Sequence, residues 1–153
     1  MTRLTPVLFT VAAAVPVAAD PDLSWDQLPP PVQLAIATNI PDPVHSGFGD
    51  VSAEGRAVYE AMHTFEGRRQ SLEVAADGTV LKREQRVTAW EMPGDILLAI
   101  ERTWPGAVLD EVEFNREGDR FSYEIEMTVG GVPREVEITT AGEVLVDRGG
   151  GGE

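Results

Sequence analysis

MPGDILLAIERTW (residues 92–104) returns a pattern already present in LPPPVQLAIATNI (residues 28–40): Pro93 repeats Pro29, and Ala99-Ile100 repeats Ala35-Ile36, at one and the same offset along the chain. That offset also carries Tyr59-Glu60 onto Tyr123-Glu124, Gly67 onto Gly131, Glu73 onto Glu137, and Gly78-Thr79-Val80-Leu81 onto Gly142-Glu143-Val144-Leu145. One register held over that length predicts a helix-and-strand module present twice.

Each copy opens with a helix. In the second, Pro93 falls in the first helical turn, where its missing N–H costs nothing. Ile96, Leu97, Ala99 and Ile100 then recur at helical spacing up to Trp104, and Pro105-Gly106 ends the run. In the first, Pro29-Pro30-Pro31 opens the helix, Val32, Ala35 and Ile36 form its apolar stripe, and Ile40-Pro41 closes it.

A meander follows. In the second copy Val108, Asp110, Val112 and Phe114 alternate with Leu109, Glu111 and Glu113, and a turn at Glu117-Gly118-Asp119 leads into Arg120 to Val129. There Phe121, Tyr123, Ile125 and Met127 point one way and Ser122, Glu124, Glu126 and Thr128 the other. Gly130-Gly131 turns into a strand with Val132, Val136 and Ile138 opposite Glu135 and Glu137, and Ala141-Gly142 into a last strand through Val146. The first copy repeats this over Arg56–Phe65, Arg68–Val74 and Thr79–Val87. Its Pro- and Gly-rich stretch from Pro41 to Gly55 leaves the leading strand short or missing.

A helix with one apolar stripe and a meander with one apolar face cover each other. The expected class is therefore α+β: two tandem helix-plus-antiparallel-meander repeats sharing one sheet, both helices on one face and the other face open. The expected boundaries are a signal peptide over 1–19, repeat 1 over 20–89, repeat 2 over 90–148, and a disordered Gly-rich tail over 149–153.

Of the 153 residues, 42% are hydrophobic and 25% charged, enough to bury a globular core. Twelve basic residues against 26 acidic ones give a net charge of −14, which disfavours phosphate backbones and anionic membrane surfaces as partners. The absence of cysteine excludes disulfides and thiolate metal sites. Arg3, the short apolar run from Leu4 to Val15, and Val17-Ala18-Ala19 before Asp20 match a secretory signal, so the mature chain is expected to be exported to the periplasm or the extracellular space, with no membrane insertion after cleavage.

Leu-Pro and Met-Pro ahead of Val32-x-x-Ala35-Ile36 and Ile96-x-x-Ala99-Ile100, Tyr-Glu on a strand at Tyr59-Glu60 and Tyr123-Glu124, and the closing stretches Asp77-Gly78-Thr79-Val80-Leu81 and Ala141-Gly142-Glu143-Val144-Leu145 resemble tandem PepSY-like domains. The resemblance covers nearly the whole mature chain. It implies a small exported module without catalytic residues, similar in architecture to the β-lactamase inhibitory protein and to modules thought to bind or restrain peptidases. The chain departs from the two-domain lactamase inhibitors in lacking their cysteines.

Function is expected on the open face, where the alternation places Glu111, Glu113, Glu124, Glu126, Glu135 and Glu137. The first copy has Glu60, Met62, Arg69 and Glu73 at equivalent positions. Residues 20–89 carry 11 acidic and 6 basic residues, and residues 90–153 carry 15 and 5, so the acidity is concentrated in the second half. Stacked glutamates suit a solvated surface, a protein or peptide partner with a basic surface, or a divalent cation such as calcium in a cation-responsive envelope protein. His45 and His63 are the only histidines, one in a loop and one at a core edge, and no metal site or cofactor is expected from them. No nucleophile elbow, phosphate loop or zinc signature occurs, so no catalytic residue is assigned. Trp25 and Trp90, just ahead of their helices, are expected to staple the helix ends to the sheet.

Overall fold

The computed structural model describes residues 23–149 other than residue 54. The expected signal segment and residues 150–153 of the tail lie outside the described residues. Ten elements follow in order: α1 (Pro30–Asn39), β1 (Gly47–Asp50), β2 (Val58–Phe65), β3 (Arg68–Ala75), β4 (Val80–Val87), α2 (Gly94–Thr103), β5 (Val108–Glu117), β6 (Arg120–Val129), β7 (Val132–Thr139) and β8 (Val144–Gly149). Pro29 and Pro93 are the N-cap residues, and the helices end where Ile40 N–H and Trp104 N–H donate to Ile36 O and Ile100 O, each at 2.8 Å. The two helices are equal in length, and their first and last residues are related by one and the same offset along the chain.

The strands form one eight-stranded antiparallel sheet in the order β1 to β8. The two halves meet where β4 pairs β5, from Lys82 opposite Glu117 to Val87 opposite Val112. Register shifts occur at Glu73/Val74 against β4 and at Glu137/Ile138 against β8, again at corresponding positions. The β3–β4 turn is tied to α1 by Gly78, whose φ is +90° and whose added Cβ would lie 2.8 Å from Pro31 O.

The core has two parts on one face of this sheet. Val32 and Ile36 of α1 pack on Phe48, Ala61, Leu72 and Val74, while Ile96 and Ile100 of α2 pack with Trp104 on Tyr123, Ile125, Met127, Val136 and Ile138. Burying such side chains stabilises by about 1.5–3 kcal/mol each. Among the described residues the opposite face carries no helix.

The leading strand of the first half is short, as expected, spanning Gly47–Asp50. Three local expectations are corrected. A register shift between Leu109 and Glu111 makes Asp110 an extra residue, so Leu109 packs against the core and Val108 is exposed, the reverse of simple alternation. Gly149, expected in the tail, ends β8 opposite Arg134. Trp25 packs against Phe48 with ring centroids 5.6 Å apart, but Trp90 is 93% exposed. The common offset carries Trp25 onto the half-buried Ala89 and Asp26 onto Trp90, so Trp90 takes the outward place of the exposed Asp26.

Tyr123→Ala is expected to cost roughly 3–5 kcal/mol, as other aromatic core truncations do. Trp90→Ala should cost less than about 0.5 kcal/mol. Denaturant melts check both values, and equal losses would overturn the inward assignment of β6.

Candidate functional site

The uncovered face is built by strand alternation. On β6, Tyr123, Ile125 and Met127 are buried beneath α2, which turns Glu124 and Glu126 to the other side. Register then lines up Glu113, Glu124 and Glu137 across β5, β6 and β7, and likewise Glu111, Glu126 and Glu135. All six glutamates expected on this face are there. Glu60, Glu73, Glu84 and Glu117 join them from the strands on either side of the seam.

Carboxylates opposite one another across strands repel. Here the repulsion is offset by cations supplied largely from the first half. Arg69 Nη2 lies 2.9 Å from Glu113 Oε1 and 3.3 Å from Glu111 Oε1, and Arg86 Nη2 lies 2.9 Å from Glu111 Oε2. Lys82 Nζ sits between Glu84 and, at 3.6 Å, Glu124 Oε2. Arg148 pairs with Glu135, and Arg120 pairs with Glu117 and stands 3.9 Å from Glu137 Oε1. Glu126 is exposed and makes no ion pair among the described residues.

Neutral donors fill the layer beneath these charges. Ser71 Oγ donates to Glu84 Oε2 at 2.5 Å, Ser122 Oγ to Glu137 Oε1 at 2.7 Å, and Asn115 Nδ2 to Glu124 Oε2 at 3.1 Å. Asn115 is only 2% exposed, roofed by the longer side chains around it. Glu60 points away from the helices as expected but is only 7% exposed, on the strand beside Gly49. The face is therefore a semi-buried charge layer.

Burial is the main cause of the raised pKa values of Glu73, Glu113 and Glu124. Neighbouring carboxylates add to the rise, while Lys82 opposes it at Glu73 and Glu124 and Arg69 opposes it at Glu113. Burial works against the charged form of Lys82, but Glu84, Glu124 and Glu73 outweigh it and the ammonium is held protonated above its usual range. Among the described residues ten glutamates and Asp110 face five cations on this surface, namely Arg69, Lys82, Arg86, Arg120 and Arg148, so the layer stays negative.

At the far end of the second half a shallow cavity of about 370 Å³ opens beside Asp110, Glu126, Pro133, Glu135 and Arg148. The bulge that displaces Asp110 helps to form it, with Thr128 Oγ1 donating to Asp110 Oδ2 at 2.9 Å. His45 pairs with Asp42 at 3.1 Å, both exposed, and burial lowers the pKa of His63. Among the described residues no cluster of three or more His, Asp or Glu is placed to hold a metal, and no helix is long and apolar enough to cross a membrane.

Sequence reasoning found the acids and missed their counter-ions. The signal was available in KREQR (residues 82–86), where Lys82, Glu84 and Arg86 alternate with the helix-side Arg83 and Gln85.

No protein-family model matches this chain, and no curated protein sequence matches it. Solved structures similar to it in fold include three from Bacteroides species. A candidate periplasmic protein of Bacteroides eggerthii aligns with a TM-score of 0.69 at 16% identity, over 80% of this chain and 88% of that one. A DUF2874 family protein of Bacteroides ovatus aligns at 0.69 and 16%, over 81% and 89%. A BLIP-like protein of Bacteroides fragilis aligns at 0.62 and 16%, over 80% and 87%. The fold is BLIP-like. At that identity the likeness extends to the fold alone.

Glu73→Gln tests the charge layer. A carboxylate whose folded-state pKa is raised costs stability once pH exceeds that pKa, and the cost disappears below the unfolded value near 4.5. The substitution should raise the melting temperature at pH 7, with the gain shrinking toward zero near pH 4 in paired thermal melts. A lower melting temperature at pH 7 would mean that ionised Glu73 is a net stabilising partner of Lys82.

Proposed function

We propose that this chain is an exported, non-catalytic binding module, built from two PepSY-like repeats over residues 20–89 and 90–148, which recognises a protein or peptide with a basic surface on its uncovered sheet face. Removal of residues 1–19 and export to the periplasm or beyond belong to the same proposal. The BLIP-like fold supports a protein partner. The common offset that relates the two helices and also the two register shifts supports the duplication.

The observation that carries the proposal is the charge excess on a wide surface that neither helix covers. Glu111, Glu113, Glu124, Glu126, Glu135 and Glu137 form its second-half part, and they differ in role. Glu111, Glu113 and Glu124 are held by Arg69, Arg86 and Lys82 and present a pre-organised negative layer at little ordering cost on binding. Glu126 is the exposed member, and with Glu135 it borders the cavity at the sheet's end, so a partner's lysine or arginine meets this pair first. Exposed charges of this kind steer encounter more than they hold a complex.

The test uses partners captured from the exported fraction by the mature chain. Glu126→Lys with Glu135→Lys is compared with Asp95→Lys plus Glu101→Lys on α2, so that net charge changes equally. The sheet-face pair should weaken binding at least tenfold, about 1.4 kcal/mol. Its association rate should also lose the salt dependence seen with the unaltered chain, while the helix pair does little. Equal binding by both variants at low salt would make the acidic face a solubility device.

A further inference from the structure

Arg83 and Arg116 stand directly opposite one another on β4 and β5, on the face that carries the helices. Neither makes an ion pair among the described residues, although the chain has a charge of −14. Two like charges at facing positions destabilise a sheet unless something bridges them. This sheet shows how such a bridge is made: on the other face, Arg69 of β3 and Arg86 of β4 are both held by the carboxylate of Glu111, at 3.3 and 2.9 Å. The pair on the helix-bearing face has no such anion.

Part of the arrangement has a structural explanation. Arg83 Nη2 donates to Asn39 Oδ1 at 2.5 Å and so supports the last residue of α1, where a cation suits the negative end of the helix. Arg116 does not share that role. Its Nε donates to Gly118 O at 3.1 Å, and its guanidinium lies over the ring of Phe121, 5.5 Å from the centroid. Phe121 follows Arg83 and Arg116 in the same cross-strand row and is stacked on Phe114 at 5.9 Å and 16°. It nevertheless remains 39% exposed. Each guanidinium keeps most of its five N–H donors, and that of Arg116 lies beside a fixed aromatic surface.

We infer that Arg83, Arg116 and Phe121 form a binding site for an oxyanion carried on a flat apolar group, with an aromatic carboxylate as the simplest such ligand. The carboxylate would take the place that Glu111 fills on the other face, accepting from both arginines, whose planar forks match it. The apolar group would cover the open side of Phe121. Long-range repulsion from the acidic surface is screened over roughly 8 Å at 0.15 M salt, so the local pair governs attraction at contact. This site lies on the opposite face from the recognition surface proposed above, and either can fail without the other.

Benzoate, acetate and inorganic phosphate are titrated separately into the full chain while the arginine Nε–Hε resonances are followed. Benzoate should give saturable shifts at Arg83 and Arg116 and bind at least fivefold tighter than acetate or phosphate. Arg116→Gln, at an exposed position, should weaken benzoate about tenfold with an unchanged thermal melt. Phe121→Ala should bring benzoate down to the affinity of acetate. Shifts spread evenly over all arginines, insensitivity to Arg116→Gln, or phosphate binding as tight as benzoate would overturn the inference.

Discussion

The ammonium of Lys82 is the interaction on which the architecture of the open face turns. It stands on β4, the last strand of the first half, and lies among Glu84, Glu73 and, across the seam, Glu124 of the second. Glu84 and Glu124 bring two carboxylates into a half-buried layer where a cation must accompany them, because unpaired buried charge costs several kcal/mol. Arg69 and Arg86 extend the arrangement by reaching from the first half to Glu113 and Glu111. The excess acid of the second half and the cations Arg69, Lys82 and Arg86 of the first are thus complementary parts of one surface.

That arrangement joins two cores that do not otherwise merge. One lies under α1 and one under α2, and between them the helix side of β4 and β5 carries Arg83, Gln85, Phe114 and Arg116, with Val87 of β4 packing beside Val112 against the α2 core. Backbone pairing along the seam, the packing of Val87 and the ion pairs on the open face do the joining. The result is a continuous platform with fixed charges on one side and an interval between helices on the other. A rigid surface loses little entropy when it binds, which suits recognition through many modest contacts.

The regular features were visible in the sequence because their physics is local. Proline at the helix starts, apolar spacing at Ile96 and Ile100, and strict alternation from Phe121 to Met127 determine helix, strand and face without knowledge of neighbours. What escaped depends on register. The bulge at Asp110 inverts Val108 and Leu109, and no local residue announces it. The exposure of Trp90 follows from its standing where the exposed Asp26 stands in the other half, one place beyond the position of Trp25. The outward direction of the six glutamates was legible from alternation, and so was that of Lys82 and Arg86, but which acid each cation meets was not, since pairing Arg69 with Glu113 needs two strands far apart in the chain to be brought close.

The central claim is that the charge layer makes the two halves one structural unit. Native-state hydrogen exchange of Lys82→Met against the unaltered chain tests it most directly, because exchange reports the opening energy of each element separately. The account predicts that protection falls by similar amounts, about 2 kcal/mol or more for a half-buried cation lost from its carboxylates, in β2 and β3 and in β6 and β7 alike. A loss confined to the first half would contradict it.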